Sequence, residues 1–592
     1  MAKITSTKLP IHYGLPPSKQ ANEPPQARST ASSGISCHDE VASEQGSDAS
    51  QPSQALRSIE SQCFAITDMS QRPAAKNTIC ADCAYRMSLD EVKQCRVFFG
   101  GEKAVMDSQE CVICSWKTGN PAAFTWPYLN FMTENPTIFH AVDYFKQILR
   151  VAGFEELTAR EDWSARLRPG GKYYVTRNGS TLAAFTIGGA YRPGNGVAIV
   201  AGHIDALTAK LKPVSNKPDR AGYVQLGVAP YAGALNETWW DRDLGIGGRV
   251  VVRDPETGWT TTRLVKLDWP IAKIPTLAPH FGVSMTGQGN KETQLVPVIG
   301  LDSGSKTGSM AEQARTVEPA LGPAGSFIAS QPPKLVKLIA AELGVKSYAS
   351  IVNWELELFD TQPATVFGLD KEMISAGRID DKICSWAALV ALLRARDNDS
   401  SGVVRLVALF DDEEIGSLLR QGAKSNFLPL TVERIVEALS PPIVGSFGPG
   451  VIGRTYASSF LISSDVTHAI HPNFVANYLD DHAPKLNVGV AITHDSNGHM
   501  TTDSVSTAQL QRVAELSGST LQRFMIRNDS RSGGTIGPSL SSAMGVKSAD
   551  AGIPQLSMHS IRASTGALDP GLGVRFFQGF LENWETVDAE WQ

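Results

Sequence analysis

The chain has 592 residues, 42% of them hydrophobic and 19% charged, with a formal net charge of -6. Hydrophobic cores rarely grow past roughly 250–300 residues, so more than one domain is expected. The composition is that of a globular protein that buries a core. The mild negative charge, without clustered Lys/Arg interleaved with aromatics, excludes nucleic acid as a partner, and the absence of any run of about 18 apolar residues excludes membrane insertion.

In chain order, residues 1–60 are rich in Ser, Gln, Pro, Ala and Glu and lack periodic apolar positions, which predicts a disordered leader without the apolar centre of a secretory signal. Residues 61–120 form a Cys-containing extension. Seven of the eight cysteines lie before residue 115 and only Cys384 lies beyond, so the body does not depend on disulfides and a reducing compartment at synthesis is favoured. Cys80 and Cys83 with Cys111 and Cys114 can form a structural zinc site, although the stretch between the pairs is longer than zinc ribbons carry. A lineage-specific extension, part of a propeptide, or a misassigned reading-frame start are the other readings of this segment. Asn178 and Asn236 open N-x-Ser/Thr triplets, read as chance occurrences without a secretion signal.

From about Phe124 onward, strand-length apolar runs alternate with helical stretches. The runs are Val197–Ala201, Val403–Phe410, Phe460–Ile462 and Ile553–Met558. Continuous runs of this kind predict an α/β fold, a mostly parallel sheet covered by helices on both faces. Apolar spacing at Ile383, Trp386, Ala387, Val390 and Leu393 predicts a helix that opens at the acidic pair Asp380-Asp381. Between them, Arg249–Arg253 and Thr260–Leu267 flank an Asp254–Gly258 turn, and residues 207–362 read as an inserted β-rich domain. The catalytic domain is then 121–206 joined to 363–592.

Each of the four runs ends in a metal-competent residue: His203, then Asp411–Glu414, Asp465 and His559, with Asp380 opening the helix. Strand ends of an open α/β sheet converge on one rim, where ligands bind. Two His and three carboxylates suit a pair of zinc ions if one carboxylate bridges them. A nearby carboxylate that is not a ligand can shuttle the proton of an activated water, and adjacent Glu413 and Glu414 can divide these jobs if extended, their side chains pointing opposite ways. Singly, each is an ordinary feature: His203 a core histidine, Glu413 and Glu414 a solvated acidic loop.

The segments Gly202–Asp205, Trp240–Leu244, Gly377–Asp381, Phe410–Ser417, Ser464–Asn473, Gly533–Pro538 and Gln555–Ser560 resemble, in order, the motifs of the M18 family of metallo-aminopeptidases, and Met558–Gly566 resembles its fungal vacuolar branch. The resemblance implies a dizinc exopeptidase fold with an inserted dimerisation domain, two Zn2+ per subunit, and peptide substrates cut one N-terminal residue at a time. It implies that His203 and Asp465 hold one ion, Glu414 and His559 the other, with Asp380 bridging, Glu413 as general base and Asp205 orienting His203. His468, Gly533 and Gly534 match positions near substrate, and His280 matches a histidine that reaches a neighbouring subunit. A gapless match places Thr493 and Met500 where the acidic-preferring branch carries Lys and Tyr, implying preference for neutral apolar residues such as Leu; the alternative is an Asp/Glu-preferring enzyme. The family further implies a dimer-based homododecamer, residence in the cytoplasm and/or vacuole, and an autophagy receptor as partner. A self-assembling autophagy cargo or scaffold with little activity is the competing reading, opposed by the intact set of five expected ligands and Glu413.

Overall fold

The computed structural model describes residues 119–282, 289–301, 320–396, 399–443 and 445–591. The expected leader over 1–60, and the extension with Cys80, Cys83, Cys111 and Cys114, lie outside the described residues apart from 119 and 120.

The chain opens on helices α1 (Thr125–Glu134) and α2 (Ile138–Val151), then strands β1 (Glu155–Leu157), β2 (Lys172–Arg177), β3 (Thr181–Ile187) and β4 (Val197–His203). Strands β5 (Thr208–Asn216), β6 (Tyr223–Tyr231), β7 (Leu244–Arg253), β8 (Thr260–Ala272), β9 (Val298–Leu301) and β10 (Ile351–Asp360) follow, with α3 (Pro333–Glu342) between the last two. After β11 (Thr365–Phe367) and β12 (Met373–Ala376) come α4 (Ile379–Arg394), β13 (Val404–Phe410), α5 (Phe427–Leu439), α6 (Pro449–Ala457), β14 (Phe460–Ser463) and β15 (Thr467–His468). The chain ends through β16 (Ala491–His494), α7 (Ser504–Ser517), β17 (Gln522–Met525), α8 (Gly537–Met544), β18 (Lys547–Gly552), β19 (Pro554–Gln555), β20 (Ala563–Gly566) and α9 (Asp569–Glu590).

Residues on alternate sides of β4 belong to two separate cores. Ala198 and Val200 pack with α1, α2, α4 and α9, whereas Val197, Ile199 and Ala201 pack with α5 and α8. Burial on both faces is why these strands read as unbroken apolar runs. The nine-stranded sheet has the order β1-β2-β3-β13-β4-β14-β18-β16-β17, and its centre, β13, β4, β14 and β18, is parallel throughout. The mostly parallel α/β architecture is therefore the one expected. Helix α4, wedged between the sheet and α9, is buried nearly all round.

The fourth apolar run behaves differently from its expectation. The central strand is Lys547–Gly552, not Ile553–Met558, of which only Pro554 and Gln555 form a short strand beside β15. Pro554 has no N–H to donate to a central ladder. The true strand has small residues because its neighbours approach closely: a Cβ on Gly552 would lie 1.4 Å from the Asp465 carbonyl oxygen.

Strands β5–β10 make a separate six-stranded sheet of order β8-β7-β10-β5-β6-β9, which with α3 encloses a third core around Trp239, Val336, Ile339 and Leu356. The Asp254 carboxylate accepts the Glu256 and Thr257 N–H groups and so tightens the β7–β8 hairpin. This sheet enters from the His203 strand and returns just before α4, so its loops overhang the rim at which β4 ends.

Candidate active site

Register decides what meets at that rim. Phe410 pairs with His203, and Ser463 pairs with Ala201, so Asp465, two residues beyond Ser463, reaches the level of His203. Gly202 allows this convergence, since a Cβ there would lie 2.9 Å from the Ser464 carbonyl oxygen and 3.0 Å from the Asp381 carboxylate. Asp380 arrives from the start of α4, where it and Asp381 depart from helical dihedrals.

Two donor groups result, His203 with Asp380 and Asp465, and Asp380 with Glu414 and His559, each having its donor atoms within 4.8 Å of one another. Asp380 belongs to both: Oδ1 lies 3.2 Å from His203 Nε2, and Oδ2 lies 3.5 Å from His559 Nε2. Asp465 Oδ1 is 3.5 Å from His203 Nε2, and Glu414 Oε2 is 3.7 Å from His559 Nε2. Glu414 Oε1 is buried without a hydrogen-bond partner among the described residues. Burial and the carboxylates around it push Glu413 up to about 8 and Glu414 to about 10. Burial opposes a charge on His203, but Asp465, Asp205 and Asp380 hold its pKa well above the usual histidine value. So many acceptors crowded against two imidazoles, with a buried carboxylate oxygen left over, fit a pair of divalent cations of the zinc type.

Asp205 ties the two halves together. It is 4% exposed, and its Oδ1 lies 3.3 Å from His203 Nδ1, which also faces the Asp205 carbonyl at 3.1 Å. The same carboxylate accepts the N–H groups of Glu413 and Glu414 at 3.2 and 3.1 Å. Glu413 and Glu414 are not extended as expected but lie in one 3-10 turn, Glu413–Ile415, entered through a left-handed Asp412. The Asp205 carboxylate at the start of this turn supplies the acceptor that its free N–H groups need.

Sequence reading missed several residues. Tyr231, from the second sheet, donates to Asp205 Oδ2 at 2.8 Å and carries Lys210 over its ring at 4.0 Å. Asp381 accepts from the His203 N–H at 3.4 Å. Asp550 accepts from Thr535 at 2.6 Å and from the Thr501 hydroxyl at 3.0 Å. No local signal marks Tyr231 or Asp550, and the acidic pair that includes Asp381 gave no sign of its bond to His203, because each partner lies on another element. Asp550 also faces Thr493 across the β16–β18 ladder, so it gathers the segments bearing Thr493, Met500 and Gly533-Gly534. His468 packs its ring 5.5 Å from Phe524, and burial lowers its pKa while Asp380 opposes that shift. Gly533 and Gly534 are exposed, with nothing within 4 Å of a Cβ added to either. His280 is exposed on a segment anchored by two hydrogen bonds from Thr276 to Asp241, and within the chain it joins neither donor group. Leu207, Trp239, Leu358, Phe359 and Ile561 wall the cleft beside Asp380, Glu414 and His559.

The family model for aminopeptidase I zinc metalloproteases (M18) matches residues 131–581. The chain belongs to the M18 family. Vacuolar aminopeptidase 1 of Saccharomyces cerevisiae is 42% identical over 468 residues, covering 78% of this chain and 88% of that relative. The aspartyl aminopeptidase of Aspergillus oryzae is also 42% identical, over 481 residues covering 78% of this chain and 96% of its own. The solved structure of Chaetomium thermophilum mApe1 is 63% identical, with a TM-score of 0.73, and covers 80% of this chain and 100% of its own. The Saccharomyces cerevisiae mApe1 dodecamer structure is 37% identical, TM-score 0.68, covering 80% of this chain and 99% of its own. This M18 protein is thus a zinc metallo-aminopeptidase. Among the described residues no helix is long and apolar enough to cross a membrane.

Proposed function

We propose that this M18 enzyme removes neutral, apolar N-terminal residues from peptides at a two-zinc centre. The observation that carries the reading is the pair of donor groups sharing Asp380, one oxygen toward each histidine. His203 and Asp465 would hold one ion, Glu414 and His559 the second, and Asp380 would contribute to both. Zinc bound there would supply Lewis-acid chemistry, lowering the pKa of water and polarising a carbonyl. Glu413, which lies beside the donor groups and belongs to neither, would take a proton from the attacking water and return it to the leaving amine. Asp205 keeps His203 in the tautomer that presents Nε2 to the ion.

The preference for Leu over Asp or Glu rests on Thr493 and Met500, which contribute no positive charge. Nearby His494 does not replace the lost charge readily, because burial, Arg523 and His482 all lower its pKa. A buried substrate carboxylate without a cation costs several kcal/mol, whereas apolar contact gains about 25 cal/mol per Å². Comparing kcat/KM for Leu-, Met-, Asp- and Glu-aminoacyl substrates at neutral pH tests this. Asp or Glu ahead of Leu refutes it, and Thr493→Lys is expected to shift the ratio toward acidic substrates.

Assembly into a dodecamer and residence in the vacuole are inferred from the relatives so described. The second sheet serves as the pairing domain, and its exposed segment with Leu277, His280 and Phe281 supplies the contact. Sedimentation tests this, and a fully active monomer refutes it.

A further inference from the structure

The two histidines of the donor groups are held in different ways. His203 is buried within its strand and oriented by Asp205. His559 is 54% exposed and sits at a left-handed backbone position, φ 63°, two residues after Ser557 at φ 61°. A non-glycine residue keeps such a conformation only where its surroundings over-determine it. The base of its loop is closed by reciprocal Leu556–Ser564 backbone hydrogen bonds, and its far side by Arg562, which pairs with Asp360 at 2.9 Å and donates to the Pro363 and Ser375 carbonyls.

The tip is gripped from the second sheet. Asn236 Nδ2 donates to the His559 carbonyl at 3.0 Å and to the Gly233 carbonyl at 3.2 Å. Thr238 Oγ1 donates to Asn236 Oδ1 at 2.6 Å and accepts from the Ile561 N–H at 3.0 Å. One relay therefore runs from Ile561 N–H through Thr238 and Asn236 to the His559 carbonyl, fastening the backbone immediately after the left-handed residue. Both amide protons of Asn236 are engaged, so the Asn236-Glu237-Thr238 triplet has a structural use that attachment of a glycan would disturb.

We propose that Asn236 and Thr238 are positioning residues for His559, so that the loop between β6 and β7 sets metal affinity on the His559 side of the centre. The inference rests on the reading of His559 as a metal ligand. It assigns the insertion a role beyond pairing subunits: the His559 side binds tightly only while the Glu237–Trp239 turn, which Asn236 caps, is seated against residues 559–561.

The test uses the full chain with Thr238→Val, Asn236→Ala, Thr238→Ser and His559→Ala, zinc content being measured by titration against a competing chelator, alongside kcat and KM. Thr238→Val and Asn236→Ala are expected to weaken one of the two zinc ions ~10–100-fold and leave the other unchanged, the usual effect of removing a residue that orients a ligand. Activity then returns in excess zinc, with kcat recovering and KM unchanged, and Thr238→Ser, which keeps the hydroxyl, behaves as the parent. If His559→Ala retains both ions, the ligand reading fails. If His559→Ala loses one ion while Thr238→Val and Asn236→Ala hold both at parental affinity, the clamp is refuted. Should Thr238→Val not fold, Asn236→Ala, at a half-exposed turn position, decides alone.

Discussion

Replacing Asp205 by Asn leaves shape intact and removes one buried negative charge that four groups use. The carboxylate accepts from Tyr231 and from the Glu413 and Glu414 N–H groups, and it faces His203 Nδ1. An amide offers a single acceptor oxygen. Tyr231 can turn its proton toward Asp412, 3.5 Å away, but one N–H of the Glu413–Glu414 turn must lose its acceptor. Leaving one buried donor unpaired costs about 1–3 kcal/mol, or roughly 5–150-fold in any equilibrium that needs the turn in place. His203 keeps its orientation in part, because its Nδ1 also faces the Asp205 carbonyl at 3.1 Å. Metal affinity is therefore expected to fall ~10-fold, the lower end of the ~10–100-fold range for removed orienting partners. Turnover in saturating zinc is expected to fall further, since the displaced turn carries Glu413. Chelator competition and kcat in zinc-saturated buffer measure the two effects separately. A variant with unchanged zinc affinity and a kcat within twofold of the parent would refute the view that Asp205 couples the two halves.

Glu413→Gln is expected to keep both metals and lose ~100-fold or more in kcat, whereas Asp380→Ala loses metal on both sides; metal analysis beside kinetics checks both. With zinc removed, stability is expected to fall as pH rises from about 5 to 9. The folded pKa values of His203, Glu413 and Glu414 all lie above their unfolded values, so the folded chain holds more protons and loses that advantage as each group titrates. Zinc is expected to abolish this slope and to release protons on binding near pH 7.5; an unchanged slope and no proton release in weakly buffered titrations would contradict the coupling. Gly552→Ala, which drives a Cβ to 1.4 Å from the Asp465 carbonyl oxygen, is expected to cost about 3 kcal/mol or more, whereas Gly534→Ala, with nothing within 4 Å, is near neutral; soluble yield and thermal midpoints compare them.

The sequence by itself determined the family, the α/β class and the order of the residues that carry chemistry. Burial on both sheet faces leaves an apolar run that no solvent-facing residue interrupts, so the polar residue at its end stands out, as His203 does after Val197–Ala201. Tertiary structure alone decided what depends on partners far along the chain. Lys547–Gly552 is a central strand because it pairs with Phe460–Ser463 on one side and with β16 on the other, and its small residues gave no strand signal. Glu413 and Glu414 form a turn because Asp205 caps them from more than 200 residues away. Tyr231, Asn236 and Thr238 reach the centre from the second sheet through hydrogen bonds that no local periodicity encodes, because periodicity reports which face of an element is buried and not which element comes to cover it.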